Sequence, residues 1–272
     1  MRIGITTSVY NRDLAMIRDH GYECIDYDLC DTKKEIYHLP EEQFTAAMTA
    51  ENERIKALGL AVSQVHGPWP TDDKSEKSRA EKMIYMQRAV RATALLHCRY
   101  MVVHPVMPYG WGEEQDADIA LQMNCDFFTA LCDYAAPYEV TVCVENMPMK
   151  AHRISPMPRI VELVENVNHP NLGICLDTGH CNVFGDDAGE MVRLCAPYLK
   201  VLHVHDNDGK RDQHLFPYMG SVNWEGFSAA LQDVGFDGAL SLECKLTQKM
   251  PAPLREQALL LLKDIALQLA NR

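Results

Sequence analysis

Apolar, β-branched runs recur along the chain at residues 2–8, 22–28, 60–66, 100–104, 139–145, 172–177, 199–205 and 238–243. Each is followed by a stretch whose apolar residues return at helical spacing, from residues 11, 40, 75, 115, 156, 186, 223 and 252 onward. Phe44, Met48, Ile55 and Leu58 fall on one such face, and Met83, Met86, Ala89, Val90 and Ala94 on another. Strict alternation of strand and helix predicts parallel pairing through right-handed crossovers. Eight such units in 272 residues match a single closed (β/α)8 barrel, which takes about 250 residues, so residues 1–272 are expected to form one domain. The alternative, an open doubly wound sheet, needs a glycine-rich turn after the first strand, and the turn here reads TTSVYN.

The polar residues at the ends of the predicted strands carry the chemistry. They are His66 in QVHGPW, His104 in VVHPVM, Glu145 in VENMP, Asp177 and His180 in CLDTGH, His203 in LHVHDND, Asp212 and His214 in RDQH, and Glu243 in SLEC. In a parallel barrel all strand C-termini open onto one face, so these residues are expected to converge there. Taken singly, a strand-end histidine is more often structural, and an Asp or Glu before a helix is often a cap. Together they describe a site. Two carboxylates about 4 Å apart at an effective dielectric near 20 repel by roughly 4 kcal/mol. With histidines gathered beside Glu145, Asp177, Asp212 and Glu243, divalent cations are the expected counter-charge. Mixed nitrogen and oxygen donors suit zinc or manganese better than calcium.

Composition changes the picture little. Twenty-six Lys and Arg stand against 38 Asp and Glu, a net charge of −12, part of which bound metal would cancel. The ten cysteines form no CxxC pair, and Cys24, Cys143, Cys175 and Cys244 sit inside apolar strands, where a free thiol behaves as a small hydrophobe. No segment approaches the roughly 20 apolar residues of a membrane span, and MRIGITTSVY runs into a strand without a signal-like apolar core. A cytoplasmic protein is expected.

These motifs resemble, over the whole chain, the xylose-isomerase-like TIM barrel superfamily, which includes sugar isomerases and epimerases, inosose dehydratase and endonuclease IV (AP endonuclease family 2). The resemblance rests on VEN at 144–146, DTGH at 177–180, HVHDND at 203–208 with RDQH at 211–214, and LEC at 242–244, in that order. The isomerase and epimerase branch implies a divalent ion held by Glu145, Asp177, His203 and Glu243. His203 is preferred over His205 because the family's ligand precedes an acidic residue, here Asp206, by three positions; His205, also facing inward, is a neighbour placed for substrate. In that branch the two glutamates, Glu145 and Glu243, move a proton off and onto a carbon beside a carbonyl through a metal-stabilised enediolate. The endonuclease branch resembles all nine strand-end positions, His104-Pro105 included, and implies three zinc ions and phosphodiester hydrolysis at abasic DNA.

The surroundings favour the first branch. A DNA enzyme needs cations about its mouth, whereas the loops offer only Lys74, Lys77, Lys150, Arg153, Lys210 and Arg211, and no extended glycine-rich tail follows the eighth strand. Trp69, Tyr109 and Trp111 are placed to cover a sugar's C–H surface, while Lys210 or Arg211 would meet a phosphate on a sugar phosphate. Trp224 reads as packing. His20, His38, His97, His152 and His169 fall in helices or outer turns and carry no assigned chemistry. The apolar last helix leaves a homo-oligomer contact open. The expected activity is metal-dependent isomerisation or epimerisation of a small sugar, sugar phosphate or polyol, with an endonuclease IV-like hydrolase as the alternative and nucleic acid disfavoured as a partner.

Overall fold

A computed structural model describes residues 1–7, 13–69, 75–108, 116–245 and 250–271. Its strands fall where the β-branched runs predict: β1 Arg2–Thr6, β2 Cys24–Asp28, β3 Ala61–His66, β4 Tyr100–Val103, β5 Thr141–Glu145, β6 Leu172–Asp177, β7 Leu199–His203 and β8 Ala239–Leu242. All pair in parallel, in the order β7-β6-β5-β4-β3-β2-β1-β8. The ring closes just past β7, where Val204 bridges Leu242 in parallel, its N–H donating to the Ser241 carbonyl at 2.8 Å while Glu243 N–H donates back to Val204 at 3.0 Å. The protein is therefore a (β/α)8 barrel.

Strand parity sorts the side chains. Outward residues such as Ile3, Ile25, Val65, Met101, Val144, Ile174, Leu202 and Leu240 join one large apolar layer beneath the helices. Inward residues Val102, Cys143, Cys175 and Val201 form a separate small cluster within the barrel. Each lies two residues before a strand-end polar group, namely His104, Glu145, Asp177 and His203, so along β4 to β7 the interior is apolar below and polar above. All ten cysteines are free thiols.

The helices are α1 Leu14–Asp19, α2 Glu41–Ala57, α3 Glu76–Leu95, α4 Ala117–Ala135, α5 Met157–Val167, α6 Thr178–Phe184, α7 Ala188–Cys195, α8 Trp224–Asp233 and α9 Ala252–Asn271. Caps explain several starts: Asp116 accepts from the N–H groups of Asp118 and Ile119, Ser75 exchanges bonds with Ser78, and Asp187 accepts from Glu190 N–H. The short α6 is an addition to the predicted set, and it arises because Asp177, besides ending β6, caps the turn that follows. His152, expected on an outer turn, is buried in the loop between β5 and α5, where its backbone N–H donates to the Met149 carbonyl. No helix among the described residues is long and apolar enough to cross a membrane.

Candidate metal centre

Each motif has a local reason for its shape. In VEN, the Asn146 amide clamps two strand ends: its Nδ2 donates to the Asp177 carbonyl at 3.1 Å and its Oδ1 accepts from Asp177 N–H at 2.8 Å. In DTGH, Asp177 Oδ1 caps α6 by accepting from His180 N–H at 2.7 Å, which leaves Oδ2 facing His205 Nε2 at 3.0 Å. Thr178 Oγ1 donates to the His205 carbonyl and accepts its N–H, tying α6 to the strand beside it.

Gly179 is where that helix meets the histidine. A Cβ there would lie 2.0 Å from His205 Cε1 and 2.4 Å from Nδ1. Gly179→Ala is expected to push the imidazole off Asp177 and to lower stability by about 1–3 kcal/mol, the usual cost of overpacking. Thermal unfolding together with metal titration of the variant checks both effects; an unchanged melting curve would show that the helix shifts freely.

The loop after β7 is stapled by Asp206. Its Oδ1 accepts from Asn207 N–H (2.8 Å) and Val222 N–H (3.1 Å), and its Oδ2 accepts from Gly220 N–H (3.0 Å) and Trp224 Nε1 (2.9 Å). Trp224 thus packs, as expected, and also anchors the loop that carries Asp212 and His214. His214 holds a left-handed backbone, φ 49°, of the kind that non-glycine residues adopt chiefly where surrounding structure enforces it.

All nine candidate residues converge at the barrel mouth, and His205 joins them as a tenth. Glu145 Oε1 lies 2.8 Å from His203 Nδ1 and 3.7 Å from His180 Nδ1. Glu145 Oε2 lies 3.1 Å from His104 Nε2 and 3.7 Å from His66 Nε2, and makes a well-aligned hydrogen bond to neither. Glu243 Oε2 is 3.4 Å from His203 Nδ1. Asp212 stands 3.1 Å from His214 Nε2, 3.6 Å from His180 Nε2 and 3.7 Å from His205 Nε2. His205 stacks on His214 with ring centres 4.1 Å apart.

The histidines are oriented as ligands are. His66, His180 and His214 each place Nδ1 on a backbone carbonyl, those of Gly67 (3.0 Å), Asn146 (2.7 Å) and Glu243 (2.7 Å). A carbonyl only accepts, so Nδ1 carries the proton and Nε2 turns toward the carboxylates. Metal-binding histidines are held in the same way, with the remote nitrogen donating to a fixed acceptor. Buried Glu145 Oε2 and Asp212 Oδ1 lack a hydrogen-bond partner, as expected of oxygens shaped for a cation. The groups His66, His104, Glu145; His66, His203, Glu243; Asp177, His180, His205; and His205, Asp212, His214 each bring their ligand atoms within 4.8 Å of one another. The residues fit a divalent ion.

Electrostatics agrees. Burial alone would raise Glu145, but the His203 and His104 imidazoles outweigh it and hold the carboxyl well below the usual range. Burial pushes His104 down. It also acts to lower His180 and His214, yet Asp177 and Asp212 carry His180 up to about 10, and Asp212 and Glu243 carry His214 up to about 9. In the metal-free protein the His180 and His214 imidazoliums thus offset part of the charge of the crowded carboxylates.

A cavity of about 390 Å³ opens over these groups, lined by Cys30, His66, Trp69, His104, Glu145, Met147, Pro148, Met149, His180, Asp212, His214 and Glu243. Trp69 stands at its edge, its ring centre 6.2 Å from that of His104. Lys210 is exposed in the β7–α8 loop and does not reach the cavity wall, and Arg211 pairs with Asp208 at 2.9 Å. Tyr109, Trp111 and Lys74 lie outside the described residues. Sequence reasoning missed the Met147–Met149 wall, Cys30 and, beneath the site, Asp26, which lies 2.9 Å from His203 Nε2.

Residues 14–265 match the family model described as the Xylose isomerase-like TIM barrel. The chain belongs to that family. It is 21% identical to the inosose isomerase of Bacillus subtilis (strain 168) over 237 residues, 85% of this chain and 82% of that one. A D-psicose 3-epimerase crystallised in the presence of D-fructose superposes with a TM-score of 0.83 at 16% identity, with both chains fully covered. The IOLI protein, solved with a bound zinc atom, superposes with a TM-score of 0.81 at 19% identity, covering 99% of this chain and 98% of that one. At these identities the two structures attest the fold.

Proposed function

We propose that the protein is a divalent-metal-dependent isomerase or epimerase that moves a proton at a carbon beside the carbonyl of a small, unphosphorylated sugar or polyol. The observation that carries this reading is the pair Glu145 and Glu243, which meet across His203 Nδ1 at 2.8 and 3.4 Å from strands three apart around the ring. Glu145, Asp177, His203 and Glu243 would hold a divalent ion, which would supply Lewis-acid polarisation of a bound carbonyl. Glu243, at the cavity surface, accepts and returns the proton, and Glu145, fixed among four imidazoles, faces it from the opposite wall. Trp69, Met147 and Met149 cover C–H surface and shed water from the reacting carbon. Among the described residues no lysine or arginine lines the cavity, which favours a neutral substrate over a sugar phosphate. The names of the relatives, inosose isomerase and D-psicose 3-epimerase, point to the same substrate class.

The test is incubation of the zinc- or manganese-loaded protein with ketohexoses and inososes in deuterium oxide. One solvent deuterium is expected at a carbon next to the carbonyl of the accepted substrate, read by NMR. Substrate turned over without solvent exchange, or no exchange across the panel, would remove proton transfer from the account.

A second reading rests on the donors beyond those four. His66 and His104 on one side of Glu145, and His180, Asp212 and His214 on the other, extend the site toward several ions, an arrangement suited to phosphodiester hydrolysis. Nicking of an abasic duplex by the zinc-loaded protein at a rate above that of Asp212→Asn would favour it.

A further inference from the structure

Beneath the metal centre lies a carboxylate that no strand-end motif includes. Asp26, in the middle of β2, is fully buried inside the barrel, and its Oδ2 lies 2.9 Å from His203 Nε2. Gln64 Nε2, on the neighbouring β3, donates to the same Oδ2 at 3.1 Å and to the Leu202 carbonyl at 3.2 Å, so the carboxylate is braced against the strand that carries His203. Oδ1 has no hydrogen-bond partner. A buried carboxylate so sparsely satisfied is costly unless a cation answers it, and the nearest group able to do so is the His203 ring.

His203 is held the opposite way round from its neighbours. His66, His180 and His214 put Nδ1 on a carbonyl and turn Nε2 to the site, whereas His203 turns Nε2 downward to Asp26 and Nδ1 upward, 2.8 Å from Glu145 and 3.4 Å from Glu243. We propose that Asp26 is a positioning residue that fixes the tautomer and ring orientation of His203 from below, so that Nδ1 is presented as a metal ligand between Glu145 and Glu243. Asp26 accepts a hydrogen bond from Nε2–H, which keeps that proton on Nε2, leaves Nδ1 as the nitrogen that would bind an ion, and makes the imidazole a stronger donor. Carboxylate partners of this kind stiffen and strengthen histidine ligation generally. The inference rests on the metal-dependent reading above and assigns to it a residue outside the cavity.

The experiment compares the wild-type protein with Asp26→Asn and Asp26→Leu, each stripped of metal and titrated with zinc and manganese against a competing chelator. Long-range 1H–15N NMR of the zinc-loaded wild-type protein reads the His203 tautomer, with the His203→Gln spectrum giving the assignment. Asp26→Asn is expected to weaken metal binding by about 10- to 100-fold, with Asp26→Leu at least as weak. The wild-type spectrum is expected to show His203 protonated at Nε2 and metal-bound at Nδ1. Undiminished affinity in a folded Asp26→Asn protein, or a His203 ring protonated at Nδ1, overturns the assignment; where a variant does not fold, the wild-type spectrum decides alone. A wild-type protein that binds neither metal overturns the metal-dependent reading itself, so the two failures are distinguishable.

Discussion

Glu243→Gln is expected to lower the rate of solvent-deuterium exchange into substrate by about 10²- to 10⁴-fold, the range that a positioned general base contributes. The substitution keeps the shape and one oxygen donor and removes the charge and the basicity. Its effect on folding is expected to be small, because the Glu243 side chain is 20% exposed and lies just beyond β8, where the ladder contact is made by its backbone N–H. The matching change at Glu145 is a poorer probe. That side chain is 1% exposed and faces His66, His104, His180 and His203, so Glu145→Gln disturbs folding, metal affinity and proton transfer together. Because Glu243 is also a candidate metal ligand, substrate exchange rates for Glu243→Gln are measured at saturating metal, beside its metal titration and melting curve, which separates chemistry from metal loss and from stability. Exchange at the wild-type rate would take Glu243 out of the proton transfer.

Affinity for an ion held by His180 and His214, donors beyond the four that hold the first ion, is expected to rise steeply with pH. In the metal-free protein His180 titrates at about 10 and His214 at about 9, because neighbouring carboxylates outweigh the burial that acts to lower both. Below those values each ring holds the proton that an incoming ion must displace, so protons and metal compete. An ion bound by His180 and His214 releases about two protons, and its affinity rises by up to about 100-fold per pH unit until the pH approaches 9. Calorimetry in buffers of different ionisation enthalpy counts the protons directly. Metal uptake with no proton release, and an affinity flat between pH 6 and 8, would mean that these imidazoles are not ligands.

Much of this molecule is readable in the chain because a parallel barrel separates its signals. The β-branched runs locate all eight strands, and the convergence of His66, His104, Glu145, Asp177, His203 and Glu243 follows from parallel pairing. His180 is instead brought in by α6, and Asp212 and His214 by the loop that Asp206 anchors. What escaped was set by contacts between distant segments. Asp26 and Asp28 share a parity on β2, yet Asp28 turns to Lys34 at 3.0 Å while Asp26 points beneath His203, a difference accompanied by a register shift at Ile25 and Asp26. Helix α6 was hidden because Thr178, Gly179 and His180 read as the tail of a site motif, and the cap from Asp177 is visible only in three dimensions. Lys210, promising as a phosphate contact by its position in the motif, is carried outward by a loop whose course Asp206 determines. Between His203 and His205, sequence parity sends both inward; their partners tell them apart, Glu145 and Glu243 for the first, Asp177 and Asp212 for the second.

Bound metal is the premise on which the proton chemistry, the histidine orientations and the role of Asp26 all depend. Its most direct test is elemental analysis of the protein purified without chelator and then reconstituted with zinc or manganese, alongside an Asp177→Asn, Glu243→Gln double variant. At least about one tightly held ion per chain is predicted for the native protein, with a marked loss in the variant. A native chain that retains no ion after reconstitution and desalting would contradict the account.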